Sequence, residues 1–490
     1  MQNLLSKKLE DNMFILNEKF LECPDIKRQR VLLKDGTPAV IIYVEGLTSI
    51  DLLQRDIIPN LLRLESAQVF DENMQTVRLP VASLSLLNEI DALISDILNG
   101  KTAVFINGYD IAISLSVIKV EKRNISEPTI EKNVKGAQEA FVESINTNIS
   151  ILRRKVKNNR LKIRLLTLGD LTNQTVALVY IEGIANPEIV ETMYNKIVDI
   201  QYDGIFDVGY IEQLIADNQI TPFPHYLYSE RPDKTVSCLL EGKLAVLVDG
   251  SPFAMLAPMS FFSAFQALDD YSTSWPVGSL TRLLRMLGLL MALFLPALYI
   301  AIVSYHYYMI PLNLLIPLAE SRARVPFPPI IEVLILETTL EMLREATIRL
   351  PTFIATSLGV VGGLIIGQAA VDAGIVSNII IIVVAVTAIA SFLIPNHDMA
   401  LTIRYTRFIV MLFAAIFGII GVVICGVFLL SHLIVLESMG EPYFKPVFPF
   451  NRNDFKDIML RPSLKRLRKR PTLAHPLDKT RGKTNDKQSK

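Results

Sequence analysis

The stretch EVLILETTLEMLREATIRLP at 332–351 carries six charges among apolar residues, and a long glycine-rich apolar run follows it. Glu337, Glu341 and Glu345 recur every four residues, so on a helix like charges stack along one edge and need an answering charge. Ionisable groups at membrane depth mark ion or substrate paths. Glu337, Glu341, Arg344, Glu345 and Arg349 are therefore candidates for lining a wet vestibule or a subunit interface. The plainer alternative is a water-facing interfacial helix with Glu341–Arg344 and Glu345–Arg349 pairs. As a lone lipid-facing span, its four central charges would cost about 10–14 kcal/mol, so it is not an independent transmembrane helix. Pro328, Pro329 and Pro351 bound an amphipathic segment at 329–350.

Gly359, Gly363 and Gly367 form a smooth stripe suited to close helix packing or to a pore wall, with Gln368 beside it and Asn378 as the isolated polar residue of the next apolar run. Covalent chemistry has no comparable signal. His225, His306, His397, His432 and His475 never reach metal-ligand spacing, and no nucleophile elbow, phosphate loop or dinucleotide fingerprint occurs. An enzyme, a metal and a cofactor are not expected. Cys23, Cys238 and Cys425 are far apart and odd in number, as free thiols in a reducing compartment are.

The elements that would hold these residues are membrane helices. Four runs have the length of a span, at 286–304, 353–371, 375–394 and 408–436. Only Asp372, Ala373 and Gly374 separate the second from the third, which makes a hairpin. Trp275 and the group Tyr305, Tyr307 and Tyr308 flank the first run as interfacial aromatics. Arg282 and Arg285 precede the first run and a basic tail follows the last, which places both termini in the cytoplasm with an even number of crossings, counted as four. Arg404 and Arg407 fall just outside the fourth run and fit this scheme poorly. Residues 438–490 hold 14 Lys or Arg against 5 Asp or Glu, a net +9 in a chain of formal charge zero. Their densest block, RPSLKRLRKR at 461–470, suits either the anionic cytoplasmic leaflet or a solvated tail. Nucleic-acid binding has no motif to support it.

Residues 1 to about 280 read as soluble, and MQNLLSKKLEDNMFILNEKF lacks a hydrophobic core of signal-peptide length, so this part is expected in the cytoplasm. It contains a repeat. AVIIYVEGLTSIDLLQRDI at 39–57 resembles VALVYIEGIANPEIVETMYNKI at 176–197, and NGKTAVFINGYD at 99–110 resembles EGKLAVLVDGSP at 241–252. Two matches in one order at nearly one offset predict two related α/β subdomains. Asn107-Gly108 and Asp249-Gly250 are tight-turn signals. A long polar helix with Arg153, Arg154 and Lys155 near its end is expected over 131–163, as a solvated linker or a docking element. The expected plan is 1–125 and 126–278 as α/β subdomains, the second led by that linker helix, then 279–437 as an α-helical multi-pass transmembrane domain and 438–490 as a basic cytoplasmic tail.

Three membrane-half segments, SYHYYMIPLNLLIPLAESRARVPFPPIIEVLILETTLEMLREATIRLP, GVVGGLIIGQAAVDAGIVS and PVFPFNRNDFKDIMLRP, resemble the A subunits of spore germinant receptors, the GerA family. EPTIEKNVKGAQEAFVESINTNISILRRKVKN, YIEGIAN and LLEGKLAVLVDGSPF extend the resemblance to roughly residues 120–470. It implies a subunit of the spore inner membrane that works with a transporter-like B subunit and a lipoprotein C subunit. It further implies self-association and a share in the ion-conducting path that turns nutrient detection into germination. Thr347 departs from the pattern, standing where many members carry Gly. A transporter or flippase component is the rival class, although no inverted repeat is visible in the membrane half. A membrane-anchored cytosolic ligand-binding module is a third.

Overall fold

The computed structural model describes residues 4–70, 83–118, 131, 136–351, 354 and 367–482. The chain forms two compact units. One comprises Met1–Asp217, Tyr226–Pro258 and Leu467–Lys490, the other Asn218–His225 and Met259–Arg466.

The first unit holds two five-stranded antiparallel sheets. Strands β1 (Ile26–Leu32), β2 (Pro38–Val44), β3 (Leu84–Leu87), β4 (Thr102–Ile106) and β5 (Ala112–Leu115) lie in the order β1-β2-β4-β5-β3. Strands β6 (Leu161–Leu168), β7 (Gln174–Ile181), β8 (Leu227–Ser229), β9 (Leu244–Val248) and β10 (Ala254–Ala257) repeat that order as β6-β7-β9-β10-β8. The central strands are apolar without alternation, as strands covered on both faces are. Ala39 to Ile42 and the whole of Leu244–Val248 are buried.

The duplication reaches individual hydrogen bonds. Helices α1 (Leu9–Lys19), α2 (Ile90–Leu98), α3 (Ile145–Lys155), α4 (Pro187–Val198) and α5 (Pro232–Leu240) pack on the sheets. Asn107 Oδ1 accepts the amide of Leu9, and Asp249 Oδ1 accepts that of Ile145, each satisfying an orphan donor at a helix start. Gly108 N donates to Lys7 O as Gly250 N does to Glu143 O, with φ of 96° and 90° at the two glycines. Asn12 clasps the backbone of Ser6 through both side-chain atoms, and Asn148 clasps Val142 identically. The segment expected as a linker helix over 131–163 is thus the first helix of the second repeat, 11 residues long, and Leu161 already starts a strand.

Arg153, on a helix expected as a solvated linker or a docking element, is fully buried. Its guanidinium forms a two-pronged bond to Asp25 at 2.7 and 2.8 Å and also donates to Asn158 O and Leu161 O. Glu22 of the first repeat accepts from Arg164 and Tyr180 of the second. The duplicated pair is latched along its boundary by ion pairs.

In the second unit, α6 (Trp275–Tyr305), α7 (Pro329–Arg349), α8 (Asn378–Phe392) and α9 (His397–Val435) surround an apolar core that includes Ile300, Val333, Ile380, Val410 and Ala414. Among the described residues, α6 and α9 are long and apolar enough to cross a membrane, and α8 is apolar but only 15 residues long. Most of the run expected at 353–371, with Gly359 and Gly363, lies outside the described residues. After Gly367–Asp372, Gly374 takes φ 68° and Ile375 N donates back to Ala370 O, so the expected turn at 372–374 closes as a helix C-cap.

The continuous helix expected over 408–436 is broken. Gly418 has φ 61° and ψ −141°, a backbone state nearly confined to glycine. Were α9 straight, Thr402 and His432 would lie about 45 Å apart. Yet Thr402 donates to Pro222 O while His432 bonds the adjacent Thr221 at 2.8 Å. The chain therefore doubles back at Gly418, and 397–417 and 419–435 lie side by side. A Cβ on Gly421 would overlap the Phe413 carbonyl oxygen, which shows how close the halves come. Tyr305 caps the break by donating to Ala415 O and Ile416 O. With Phe294 beside Gly426, the second half runs antiparallel to α6.

The expected tail 438–490 also divides. Residues 438–466 pack in the helical unit, where Asp457 and Arg461 grip the start of α6. Arg470 donates to Leu240 O, Leu477 N to Ile184 O and Arg481 to Glu241, strapping the following segment onto the second α/β repeat.

Candidate functional site

The 21 residues of α7 start at Pro329, whose fixed φ suits a first helical turn, and stop before Pro351. Its charges divide by burial. Glu337 is 1% exposed and meets Arg407, itself 2% exposed, at 3.1 and 3.2 Å. Glu341, one turn on, gathers three arginines. Arg404 approaches at 3.0 Å, Arg344 at 3.3 Å and Arg407 at 3.4 Å. Arg344 in turn lies over the Phe392 ring at 4.7 Å and donates to Ser391.

The stacked like charges are therefore answered from a helix some 60 to 70 residues away in sequence. Two glutamates and three arginines share one cluster with a net charge of +1. Its glutamates are held by arginines rather than presented to solvent. Glu345 and Arg349 pair at 2.6 Å on an exposed surface, apart from it. Gln368 bonds Asp372, and Asn378 starts α8 with its side chain exposed, so neither joins the cluster. Gly367 is in the helix before the 372–374 turn.

Arg404 and Arg407, which fit the span scheme poorly, are the answering partners. Their i, i+3 spacing puts them on one helix face, and that is the signal the sequence offers. Sequence reasoning also misses Glu332. Fully buried, it accepts from Ser377 N at 2.9 Å and so caps α8, with Arg322 at 3.4 Å. Since Glu332 sits by Ser377 and Arg344 by Ser391, α7 runs parallel to α8. Arg282 and Arg285, the basic flank of the first run, are bonded to Asp270, and Arg282 also to Asp457.

At least three of the five histidines make bonds within the fold. His225 bonds Glu437 O and Asn218 O, His432 bonds Thr221, and His306 faces Ala301 O. No cluster of metal-binding side chains occurs among the described residues. Within the α/β unit, a cavity of about 780 Å³ is lined by Phe20, Glu22, Cys23, Arg28, Arg164 and Tyr194, along the latched boundary between the repeats.

The sequence matches a known family over nearly the whole chain. Residues 15–473 fit the Bacillus/Clostridium GerA spore germination protein model. The chain belongs to the GerA family. It is 37% identical to Spore germination protein KA of Bacillus subtilis (strain 168), over 91% of this chain and 83% of that protein. With Spore germination protein A1 of the same organism it shares 37% identity over 95% of this chain and 96% of that protein. Another relative, 36% identical over 95% of this chain and 91% of its own length, is the uncharacterized membrane protein YfkQ of Bacillus subtilis (strain 168). The crystal structure of the N-terminal domain of the A subunit of the Bacillus megaterium spore germinant receptor GerK3 aligns with 53% of this chain and 98% of its own, at 28% identity and a TM-score of 0.41. The GerA family is one of spore germination proteins, not a known enzyme class.

Proposed function

We propose that this chain is the A-type membrane subunit of a spore germinant receptor. It self-associates and couples nutrient sensing to ion release at the start of germination, and its helical unit forms part of the ion-conducting path. Its partners are a transporter-like B subunit and a lipoprotein C subunit in the spore inner membrane. The α/β region and the C-terminal residues face the cytoplasm, and the protein carries out no catalysis. Support comes from the relatives' germination roles and, above all, from the Glu337–Arg407–Glu341–Arg404 cluster inside apolar helices. A passive anchor has no use for such a cluster, because replacing a buried ion pair with apolar residues is often neutral or stabilising. With three arginines against two glutamates, the cluster acts as a lock between α7 and α9, whose rearrangement opens the path.

Purified protein reconstituted in liposomes, alone and with its B and C partners, tests the reading. Nutrient-dependent ion flux from the three-subunit vesicles is the expected result. Flux no greater than in protein-free vesicles, together with normal germination of spores lacking this chain and its close relatives, would overturn it.

A further inference from the structure

Past the end of α9 the chain does something unusual for a solvated segment. Between residues 448 and 464 it exposes Phe448, Phe450, Met459, Leu460 and Leu464, with Leu464 60% and Phe450 67% accessible. Scattered single apolar residues are ordinary on a surface, but five large ones in seventeen positions are not. They alternate with exposed cations. Arg452 and Lys456 stand between the phenylalanines and Met459, and Lys465 and Arg466 follow Leu464.

This segment is fixed to the first turns of α6. Asp457 is gripped by Arg282 and by the Tyr271 hydroxyl, and the Arg461 guanidinium donates to Thr273 O and Tyr271 O. Arg461 N and O both bond Ser279 Oγ. Met459 and Leu460 are thus held between two anchors, beside the turns where Trp275 and Leu280 are also exposed. Residues 436–447 link this segment to the end of α9, whose second half runs antiparallel to α6, so the segment sits at the same end of both helices.

We infer that residues 448–466 form a membrane-surface collar that binds anionic lipid headgroups. Its apolar side chains enter the interface while Arg452, Lys456, Lys465 and Arg466 meet lipid phosphates. Alternating apolar and basic residues suit a leaflet that is apolar below and negative above. The segment also holds two acids: Asp457 is already neutralised by Arg282, and Asp454, between Arg452 and Lys456, leaves the four exposed cations in excess. The inference rests on α6 and α9 being membrane spans and adds a lipid specificity that spanning alone does not require.

An environment-sensitive fluorophore on the Leu464→Cys variant of the full chain tests it. The native cysteines are all buried and leave the label specific. The protein is reconstituted in phosphatidylcholine vesicles with or without phosphatidylglycerol, each doped with spin-labelled lipid as quencher. Quenching at 464 should be at least about threefold stronger in the anionic vesicles and should fall with added salt. It should lose its composition dependence when Lys456, Lys465 and Arg466 become Gln, a change too mild to unfold an exposed segment. A label on Val427→Cys, within α9, reports spanning independently. Quenching at 427 without quenching at 464 would overturn the collar while leaving the spans in place, and no quenching at either would overturn both. Equal quenching at 464 in both vesicle types would overturn the headgroup preference. A label at 464 shielded from aqueous iodide yet unquenched by lipid would assign the surface to a protein contact, which also overturns it.

Discussion

Glu337 and Arg407 are each almost wholly buried, so neither can turn to water if its partner is removed. Arg407→Met should therefore lower the stability of the helical unit by about 3–5 kcal/mol, the usual penalty for stranding a buried charge. Joint replacement by Glu337→Gln and Arg407→Met should recover much of that loss. Thermal unfolding in detergent of the two single variants and the double variant measures the coupling, and additive effects would show that the pair is not energetically linked. Glu345 and Arg349, exposed on the surface, should give less than about 1 kcal/mol in the same cycle. Neutralising Glu337, Glu341 and Glu345 together is for this reason no clean test of an acidic vestibule. It would strand Arg404 and Arg407 and disturb packing before it altered conduction.

At the scale of elements, Gly418 converts one apolar run into two antiparallel halves. The half at 397–417 would extend about 31 Å and that at 419–435 about 26 Å, each close to the thickness of a bilayer's hydrocarbon core. His397 and Glu437 should then lie on one side of the membrane. Impermeant thiol labelling of the His397→Cys and Glu437→Cys variants should modify both from the same face, and opposite-face labelling would refute the hairpin. Gly418→Ala places a Cβ 2.9 Å from His306 Cε1 in a φ region that alanine avoids. It should cost roughly 1–3 kcal/mol, seen as a lower melting temperature of the solubilised protein. The repeat of the α/β unit is built from the same few devices used twice, a turn side chain capping a helix and an Asn clasping the preceding loop. Leu9, Asn12, Ile15 and Leu16 recur as Ile145, Asn148, Ile151 and Leu152, a sequence signal that was there to be read.

On the scale of the molecule, two latches decide how the α/β unit behaves. Arg153→Met should free Asp25 inside the boundary between repeats, cost about 3–5 kcal/mol and expose the 136–160 region to limited proteolysis of the full chain. Arg470→Ala removes donors to Leu240 O and Asp478 O, so amides of 470–481 should exchange faster while the sheets keep their protection. Unchanged exchange there would mean that the strap is held by its other contacts. Burial also raises the thiol pKa values of Cys23 and Cys238, so neither should react with a maleimide at neutral pH until the protein is unfolded.

Local composition and order settled the α/β duplication, the apolar run of α6 and the turn at 372–374, because period and burial tendency are properties of short windows. The family resemblance was legible for a related reason, since long ordered segments carried it. What answers Glu337 and Glu341 was not legible, because Arg404 and Arg407 are brought to them only by helix packing across more than sixty residues. Nor was the reversal at Gly418, where a glycine permits a positive φ but nothing beside it in the sequence demands one. The tail's partition had the same cause: its basic block suited either a lipid leaflet or solvent, yet Arg461 and Arg470 became buried anchors because distant carbonyl oxygens needed donors. Tertiary contacts thus decided which charges were neutralised and which were left free, and pattern alone carries no record of that choice.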